Sequence, residues 1–291
     1  MTSSFSPDTS LNKKSILITG CSSGIGRDAA LTLRARGYNV IATARREEDV
    51  AALREEGLFA LTLDLDDSAS IQNAWRETLE YTGGGIHALF NNGAYGLPGA
   101  VEDLSREALR AQFETNLFGW LELTNLVIPV MRRQCFGRIV QDSSILGLVT
   151  LPYRGAYCAS KFALEGLCDA LRLELHGSGV HVSLIEPGPI ATRFRANALR
   201  AFQRDIDVEN SAHRKQYEAV LGRLNKEGAA MPFTLPPSAV TQKLIQALES
   251  RRPRARYYVT FPSYLFGYLR RVLSSRQLDW LALKVSGGGR T

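Results

Sequence analysis

The stretch that most constrains the fold is 15–36. Ser15–Thr19 is a short apolar run that breaks at Gly20. The loop Gly20-Cys21-Ser22-Ser23-Gly24-Ile25-Gly26 follows, and Arg27–Arg36 has helical patterning stopped by Gly37. A strand, a glycine-rich turn and a helix in that order make a cradle. The glycines let the backbone turn tightly and approach a ligand, and the helix N-terminus offers unpaired N–H groups and positive partial charge. A pyrophosphate suits such a cradle. The spacing GxxxGxG differs from GxGxxG and from the P-loop, and no Gly-Lys-Ser/Thr occurs. The blander alternative, a ligand-free glycine turn, is disfavoured by the strand before it and the helix after it.

The alternation continues with a strand at Asn39–Thr43, a helix around Glu47–Glu56 and a strand at Phe59–Leu63. A helix at Ser68–Tyr81, with Ser68 a candidate N-cap, precedes a strand at His87–Asn91. Strands alternating with helices predict a doubly wound α/β fold, a parallel sheet covered on both faces. Ligands of such sheets sit beyond the carboxyl ends of the strands. The Gly-rich loop, Arg45, Asp64, Asn91 and Ser144 are expected there. At the second strand end an NAD site usually has a carboxylate for the adenosine ribose. Ala44 fills that position and Arg45 follows, so a 2′-phosphate would meet no repulsion and a guanidinium could pair with it. NADP(H) is therefore expected over NAD(H), unless Arg45 is a plain surface residue at a helix start. Asp64 and Leu65 are placed to receive an adenine, Asp64 equally being a helix cap.

Hydrophobic residues make up 45% of the 291, ample for one large domain, and charged residues 22%. The net charge of +6 suits an anionic ligand. The bases are scattered and no reader motif occurs, which argues against nucleic acid. The first ten residues lack a signal-peptide pattern, and no run reaches the roughly 18 apolar residues of a membrane span. Cys21, Cys135, Cys158 and Cys168 form no CxxC and no metal-ligand spacing. Reduced thiols, no metal and a cytoplasmic location are expected.

Tyr157 and Lys161 lie four apart in a helical pattern, on one face. A phenol titrates at about 10, and a neighbouring ammonium is expected to lower that value. The pair reads as a tuned acid/base for alcohol–carbonyl interconversion.

With the Gly loop, Asn91-Asn92-Gly93, Asn116, Ser144, Tyr157 and Lys161 in this order, the chain resembles the classical short-chain dehydrogenases/reductases, from about Ser15 to Thr192 in motif detail. GAYCASKFALEG and SLIEPGPIATRF look like the bacterial NADP-dependent aldehyde reductase branch, itself similar to 17β-hydroxysteroid and retinol dehydrogenases. The resemblance implies a Rossmann fold, with Tyr157 as acid/base and Lys161 lowering its pKa and holding the nicotinamide ribose. It implies that Ser144 bonds the substrate oxygen, and that Asn116, in a long helix, holds a water linking Lys161 to solvent. Gly20, Ser22, Ser23, Gly24, Ile25 and Gly26 would cradle the pyrophosphate, Asn91 and Gly93 flank the adenosine ribose, and Pro187, Gly188 and Thr192 fix the nicotinamide. The implied activity is reversible hydride transfer between NADP(H) and a lipophilic aldehyde, ketone or steroid- or retinoid-like substrate. A non-catalytic NADP(H)-sensing protein on the same fold is the rival reading.

Two departures stand out. The family's Asn-Asn-Ala-Gly appears as Asn91-Asn92-Gly93-Ala94, and an alanine in place of glycine there is expected to strain the turn. Asp142 replaces an apolar or hydroxyl side chain. If buried it needs a partner, and a satisfied structural carboxylate is expected. Cys21 lies in the cofactor loop, where oxidation would block binding.

One domain, 13–260, is expected, after a disordered polar tail at 1–12. Residues 191–235 read as a substrate lid carrying Phe194, Leu199, Phe202, Tyr217, Leu221, Met231 and Phe233, or as a packed subdomain. Arg193 and Arg195 would meet cofactor phosphate or water. Residues 261–291 read as a C-terminal amphipathic helical extension with a disordered Gly-rich end. Its basic, apolar part, 261–285, suits packing on the sheet or a partner subunit, with peripheral membrane contact the weaker alternative. The long helices Glu107–Gln134 and Tyr157–Gly177 are candidate faces of a homodimer or homotetramer.

Overall fold

The computed structural model describes residues 14–226, 228 and 231–286; the polar tail and the Gly-rich end after Ser286 lie outside them. The elements run β1 (Ser15–Ile18), α1 (Gly24–Ala35), β2 (Asn39–Ala44), α2 (Glu47–Glu55), β3 (Phe59–Thr62), α3 (Ser68–Thr82), β4 (Ala88–Asn91), α4 (Arg106–Phe113), α5 (Gly119–Arg133) and β5 (Gly137–Asp142). Then come α6 (Gly155–Glu174), β6 (Val180–Glu186), α7 (Phe194–Asp205), α8 (Arg214–Asn225), α9 (Ser238–Glu249), β7 (Arg256–Tyr258), α10 (Phe261–Val272) and α11 (Ser275–Val285). The strands form one parallel sheet in the order β3-β2-β1-β4-β5-β6-β7. The winding reverses between β1 and β4, where Ile16 lies beside both Val40 and Ala88. A reversal of this kind opens a crevice at the carboxyl ends of the two strands.

Side chains alternate between the two faces of each strand, and the core divides accordingly. Ile16, Ile18, Val40, Ala42, Ala88 and Phe90 face α1, α2 and α9 through Leu33, Val50 and Leu244. Leu17, Ile41, Leu61, Leu89 and Ile139 face α3, α5 and α6 through Trp75, Trp120, Val127 and Leu164. Burial on both faces is why the strands read as nearly continuous apolar runs. A third cluster joins α7 and α8 to the loop after β4 and to the start of α6, with Phe202, Tyr217 and Leu224 against Leu97, Ala100 and Ala156. The excursion carrying α7 and α8 is closed at its base, where Ala191 N–H donates to Leu235 O (2.9 Å) and Leu235 N–H to Pro189 O (3.1 Å).

One helix expectation is corrected and one gains a detail. The cap of α3 is Asp67, whose carboxylate accepts from Ala69 N–H at 2.9 Å. Ser68 is instead the first helical residue and donates to Glu122 Oε1 at 2.5 Å. The helix expected over 107–134 is found as α4 and α5 running on through a π-turn at Glu114–Phe118, which carries Asn116. Just after that turn, α5 begins at Gly119, directly beneath the Leu65 carbonyl. A Cβ at Gly119 would lie inside the van der Waals envelope of Leu65 O. Gly119→Ala therefore sets about 1 kcal/mol of helix propensity against about 1–3 kcal/mol of overpacking on fixed backbone. The clash wins, because so close an approach to a backbone oxygen puts it at the upper end of that range: a net loss of up to about 2 kcal/mol is expected in urea unfolding.

Candidate active site

A cleft of ≈ 1130 Å³ opens at this switch point. One end is formed by Ala44, Arg45, Leu63, Asp64 and Leu65, the floor by Gly20, Ser22, Ser23, Gly24 and Ile25, and the other end by Ser144, Tyr157, Lys161, Pro187, Gly188 and Thr192.

The floor depends on close backbone approach. Gly20 (φ +72°) and Gly24 (φ +58°) are left-handed, where a Cβ is unfavourable. A Cβ on Gly20 would come within 2.6 Å of Gly93 Cα, and one on Gly24 within 3.0 Å of Thr192 Cγ2. The loop is clamped from β4: Asn92 Nδ2 donates to Thr19 O (2.8 Å) and Gly20 O (3.2 Å), and Thr19 Oγ1 accepts from Asn92 and Gly93 N–H (2.8 and 2.9 Å). Gly26 does not line the cleft; it packs behind it, where a Cβ would strike Gly20 O. Its expected pyrophosphate contact becomes a loop–helix packing role.

Asn91 is corrected as well. It is fully buried on the Leu89 side of the sheet, donating to Thr124 Oγ1 (3.0 Å) and Trp120 O (3.4 Å), and its side chain does not flank the cleft. Asn92, which the sequence reasoning passed over, is the asparagine that shapes the loop; its pairing with Asn91 was the available signal. Neither Gly93 nor Ala94 has positive φ, so the exchanged pair carries no strain of the expected kind. Cys21 is buried and donates to Ile18 O (3.3 Å), and burial pushes its thiol up to about 12. It is neither exposed nor a thiolate, so the oxidation expectation has no support.

At the β2 end, Arg46 is held by Glu48 and Asp49 (2.8 Å each), whereas Arg45 enters no ion pair among the described residues and lines the cleft. Asp64 Oδ1 accepts from Asp66 N–H (3.1 Å) and caps no helix. A floor that Cβ atoms would fill and an unpaired guanidinium fit a phosphorylated dinucleotide. Arg195, half-buried at the cleft edge, donates to the carbonyls of Arg223, Lys226 (2.5 Å) and Gly228, tying α7 to the end of α8.

At the far end, α6 brings Tyr157, Lys161 and Glu165 onto one face. Ser144 Oγ accepts from Leu146 N–H (3.1 Å), leaving its hydrogen free to donate. Ser143 Oγ donates to Glu165 Oε1 (2.5 Å), and Glu165 accepts from Arg256 (2.9 Å), which also pairs with Asp169 (2.8 Å). The loop before Ser144 is thus moored to an ion cluster. The signal for Glu165 lay in its position one turn beyond Lys161.

Lys161 Nζ donates to the Asp142 carbonyl at 2.7 Å and lies 4.1 Å from the Trp120 ring centroid and 5.8 Å from that of Tyr157. Burial pushes the ammonium down to about 8, opposed by the charges of Asp142 and Glu165. The Asp142 carboxyl is pushed up to about 7 by burial, with Lys161 opposing. Its Oδ1 is buried without a hydrogen-bond partner, so the expected satisfied carboxylate is not found. Burial also raises the Tyr157 phenol well above its ordinary value; Ser144 works against the shift, and the Asp142 charge adds to it. The expected acidification by Lys161 is absent here, because desolvation outweighs it.

Asn116 is fully buried. Its Nδ2 donates to Tyr95 O (2.8 Å) and Ser160 Oγ (3.2 Å), and its Oδ1 accepts from Tyr95 N–H (3.2 Å). Both amide hydrogens are committed to structure, so any water there must use the free Oδ1 lone pair or the main chain. Phe194 from α7 meets Tyr157 edge-on, ring centroids 5.4 Å apart. With Met231 it lines the cleft, while Phe202 and Tyr217 pack the third core. The packed-subdomain reading of 191–235 holds for Phe202 and Tyr217, while Phe194 and Met231 line the cleft.

The short chain dehydrogenase family model matches residues 14–202. The uncharacterized oxidoreductase YbbO of Escherichia coli is 42% identical over 267 residues, covering 92% of this chain and 93% of that protein. Human 17-beta-hydroxysteroid dehydrogenase type 1 is 35% identical over 260 residues, covering 84% and 77%. A short-chain dehydrogenase from Streptomyces avermitilis has a similar structure, with a TM-score of 0.73 at 26% identity, covering 96% and 99%. The chain belongs to the short-chain dehydrogenase family of oxidoreductases.

Asp142→Asn tests the electrostatics of the far end. Removing the carboxylate withdraws the charge that holds the Lys161 and Tyr157 values up. An alkaline limb of the kcat–pH profile is expected where Lys161, pushed down to about 8 by burial, loses its proton, and in the variant it is expected to move to lower pH. An unmoved or upward-shifted limb counts against this assignment.

Proposed function

We propose that this protein is a cytoplasmic NADP(H)-dependent reductase that converts a lipophilic aldehyde, ketone, or steroid- or retinoid-like carbonyl compound to an alcohol, reversibly. The observation that carries the reading is the convergence of the Ser144 hydroxyl, the Tyr157 phenol and the Lys161 ammonium at one end of a cleft whose other end holds an unpaired Arg45. The bound cofactor supplies the hydride. Ser144 and Tyr157 direct their hydroxyl hydrogens at the substrate oxygen, so that charge developing there meets preorganised donors. Tyr157 passes its proton to that oxygen as the carbonyl becomes an alcohol, and takes it back in the reverse direction. Burial keeps the phenol protonated, which is the form reduction requires. Lys161 keeps the local potential positive and holds the nicotinamide ribose hydroxyls, while Pro187, Gly188 and Thr192 position the ring.

Arg45 supports NADP(H) over NAD(H). Leu97, Leu146, Leu151, Phe194 and Met231 along the cleft support an apolar substrate, as does the steroid named for the human relative. Leu167 and Leu173 on α6, with Leu109 and Phe118 on the α4–α5 helix, leave apolar surface for a homodimer or homotetramer.

Tyr157→Phe is expected to lower kcat toward a panel of aldehydes and ketones by about 10²–10⁴-fold with NADPH binding retained. Arg45→Ala is expected to weaken NADPH binding by about tenfold or more and NADH binding little, read by nucleotide fluorescence titration. Equal losses would overturn the cofactor preference. NADPH binding without turnover in the wild type would replace the reductase by a cofactor sensor.

A further inference from the structure

The C-terminal helices are built inside out. α10 packs on β7 through its small side: Ser263, Phe266 and Gly267 are its buried residues, and a Cβ on Gly267 would come within 2.7 Å of the Tyr258 ring. Its apolar stripe points the other way. Phe261, Tyr264, Leu265, Tyr268 and Val272, at helical spacing, are between 39% and 66% exposed. α11 has no buried residue at all. Trp280 and Leu283 stand in solvent, with Arg276 and Lys284 one turn to either side of Trp280. Phe233 touches this surface at Phe261 and Tyr258 touches it at Tyr264; Leu265, Tyr268, Val272 and Trp280 stay exposed. An outward apolar stripe on a helix that already has its inner contact marks a docking face.

Charge decides the occupant. Residues 261–285 hold four cations against one carboxylate, Asp279; Arg270 is turned over the Phe162 ring (5.3 Å), which leaves Arg271, Arg276 and Lys284 exposed toward solvent. A second copy docked face to face would set that positive cluster against itself, whereas anionic headgroups complement it. Tyrosine and tryptophan beside arginine and lysine suit headgroup depth. No described helix is long and apolar enough to cross a membrane, so the contact lies in the interface plane. The face is continuous with the cleft. The Phe261 ring lies 5.2 Å from that of Phe233, and Met231 and Thr234 on either side of Phe233 line the cleft.

We propose that α10 and α11 form a peripheral docking face for an anionic lipid bilayer, holding the cleft rim at Met231–Thr234 against the layer in which a lipophilic carbonyl compound dissolves. The docking stands on the helices alone; the delivery of substrate rests on the reductase reading.

The test uses the full chain and sucrose-loaded vesicles of phosphatidylcholine, alone or with about one third phosphatidylglycerol. The protein is expected to pellet with the anionic vesicles, and raised salt to weaken the binding. Arg271→Ser with Arg276→Ser is expected to lower the partition coefficient about tenfold or more. Tyr268→Ser with Trp280→Ser is expected to do the same at an unchanged melting temperature. Both pairs should turn over a water-soluble aldehyde at the wild-type rate and a vesicle-dissolved ketone more slowly. Wild-type protein left in the supernatant, or variants that pellet like the wild type, overturns the docking. Loss of dimerisation in the same variants without vesicle binding overturns it in favour of a second copy. If no carbonyl compound is reduced by any form, the reductase reading fails while the pelleting still decides the docking.

Discussion

The Lys161 ammonium, almost without solvent and held at 2.7 Å on the Asp142 carbonyl, is the contact on which the far end of the cleft depends. A buried cation is costly unless partnered. Here the partners are a main-chain oxygen and the face of Trp120. The bond fastens α6 to the end of β5, and so fixes the distance between the residues that α6 carries and Ser144 in the loop after β5. The same residue that offers its carbonyl also brings a carboxylate into the cleft. That side chain and the lysine are each shifted toward the neutral form, as low-dielectric surroundings require. The phenol nearby shares the effect, which is why it stays a donor rather than becoming a phenolate.

At the opposite end the governing constraint is steric. Gly20 and Gly93 approach backbone to backbone, Gly24 lies against Thr192, and Gly26 packs under the Gly20 carbonyl. Each glycine removes a methyl from a different neighbour, so the three positions in the loop are not interchangeable. This also accounts for Gly93-Ala94: the contact with Gly20 falls on residue 93, and residue 94 has an ordinary φ that alanine adopts.

Much of the sheet was legible because its strands are buried on both faces and bounded by glycines, so β1 to β4 fell within a residue or two of their expected ends. The loop glycines, Ser144, Tyr157 and Lys161 were legible as spacing. What escaped depends on neighbours distant in sequence. Asp67 outcompeted Ser68 as a cap because Ser68 found Glu122. The π-turn at Glu114–Phe118 leaves no pattern in composition. Asn91 was misplaced through neglect of alternation: it shares the inward face of Leu89, one residue away from the cleft. The direction of the Tyr157 shift could not be read from a Tyr–Lys spacing, since it depends on how much water each group loses.

The pairing of Ala191 and Pro189 with Leu235 brings both ends of the α7–α8 excursion to one point on the scaffold. The chain there leaves and returns through a single gate, and the entropy of closing that long loop is met at its base rather than within the sheet. Such a segment is a cartridge. Its length and lining can drift, or be exchanged for those of a relative, while the cleft beneath keeps its geometry.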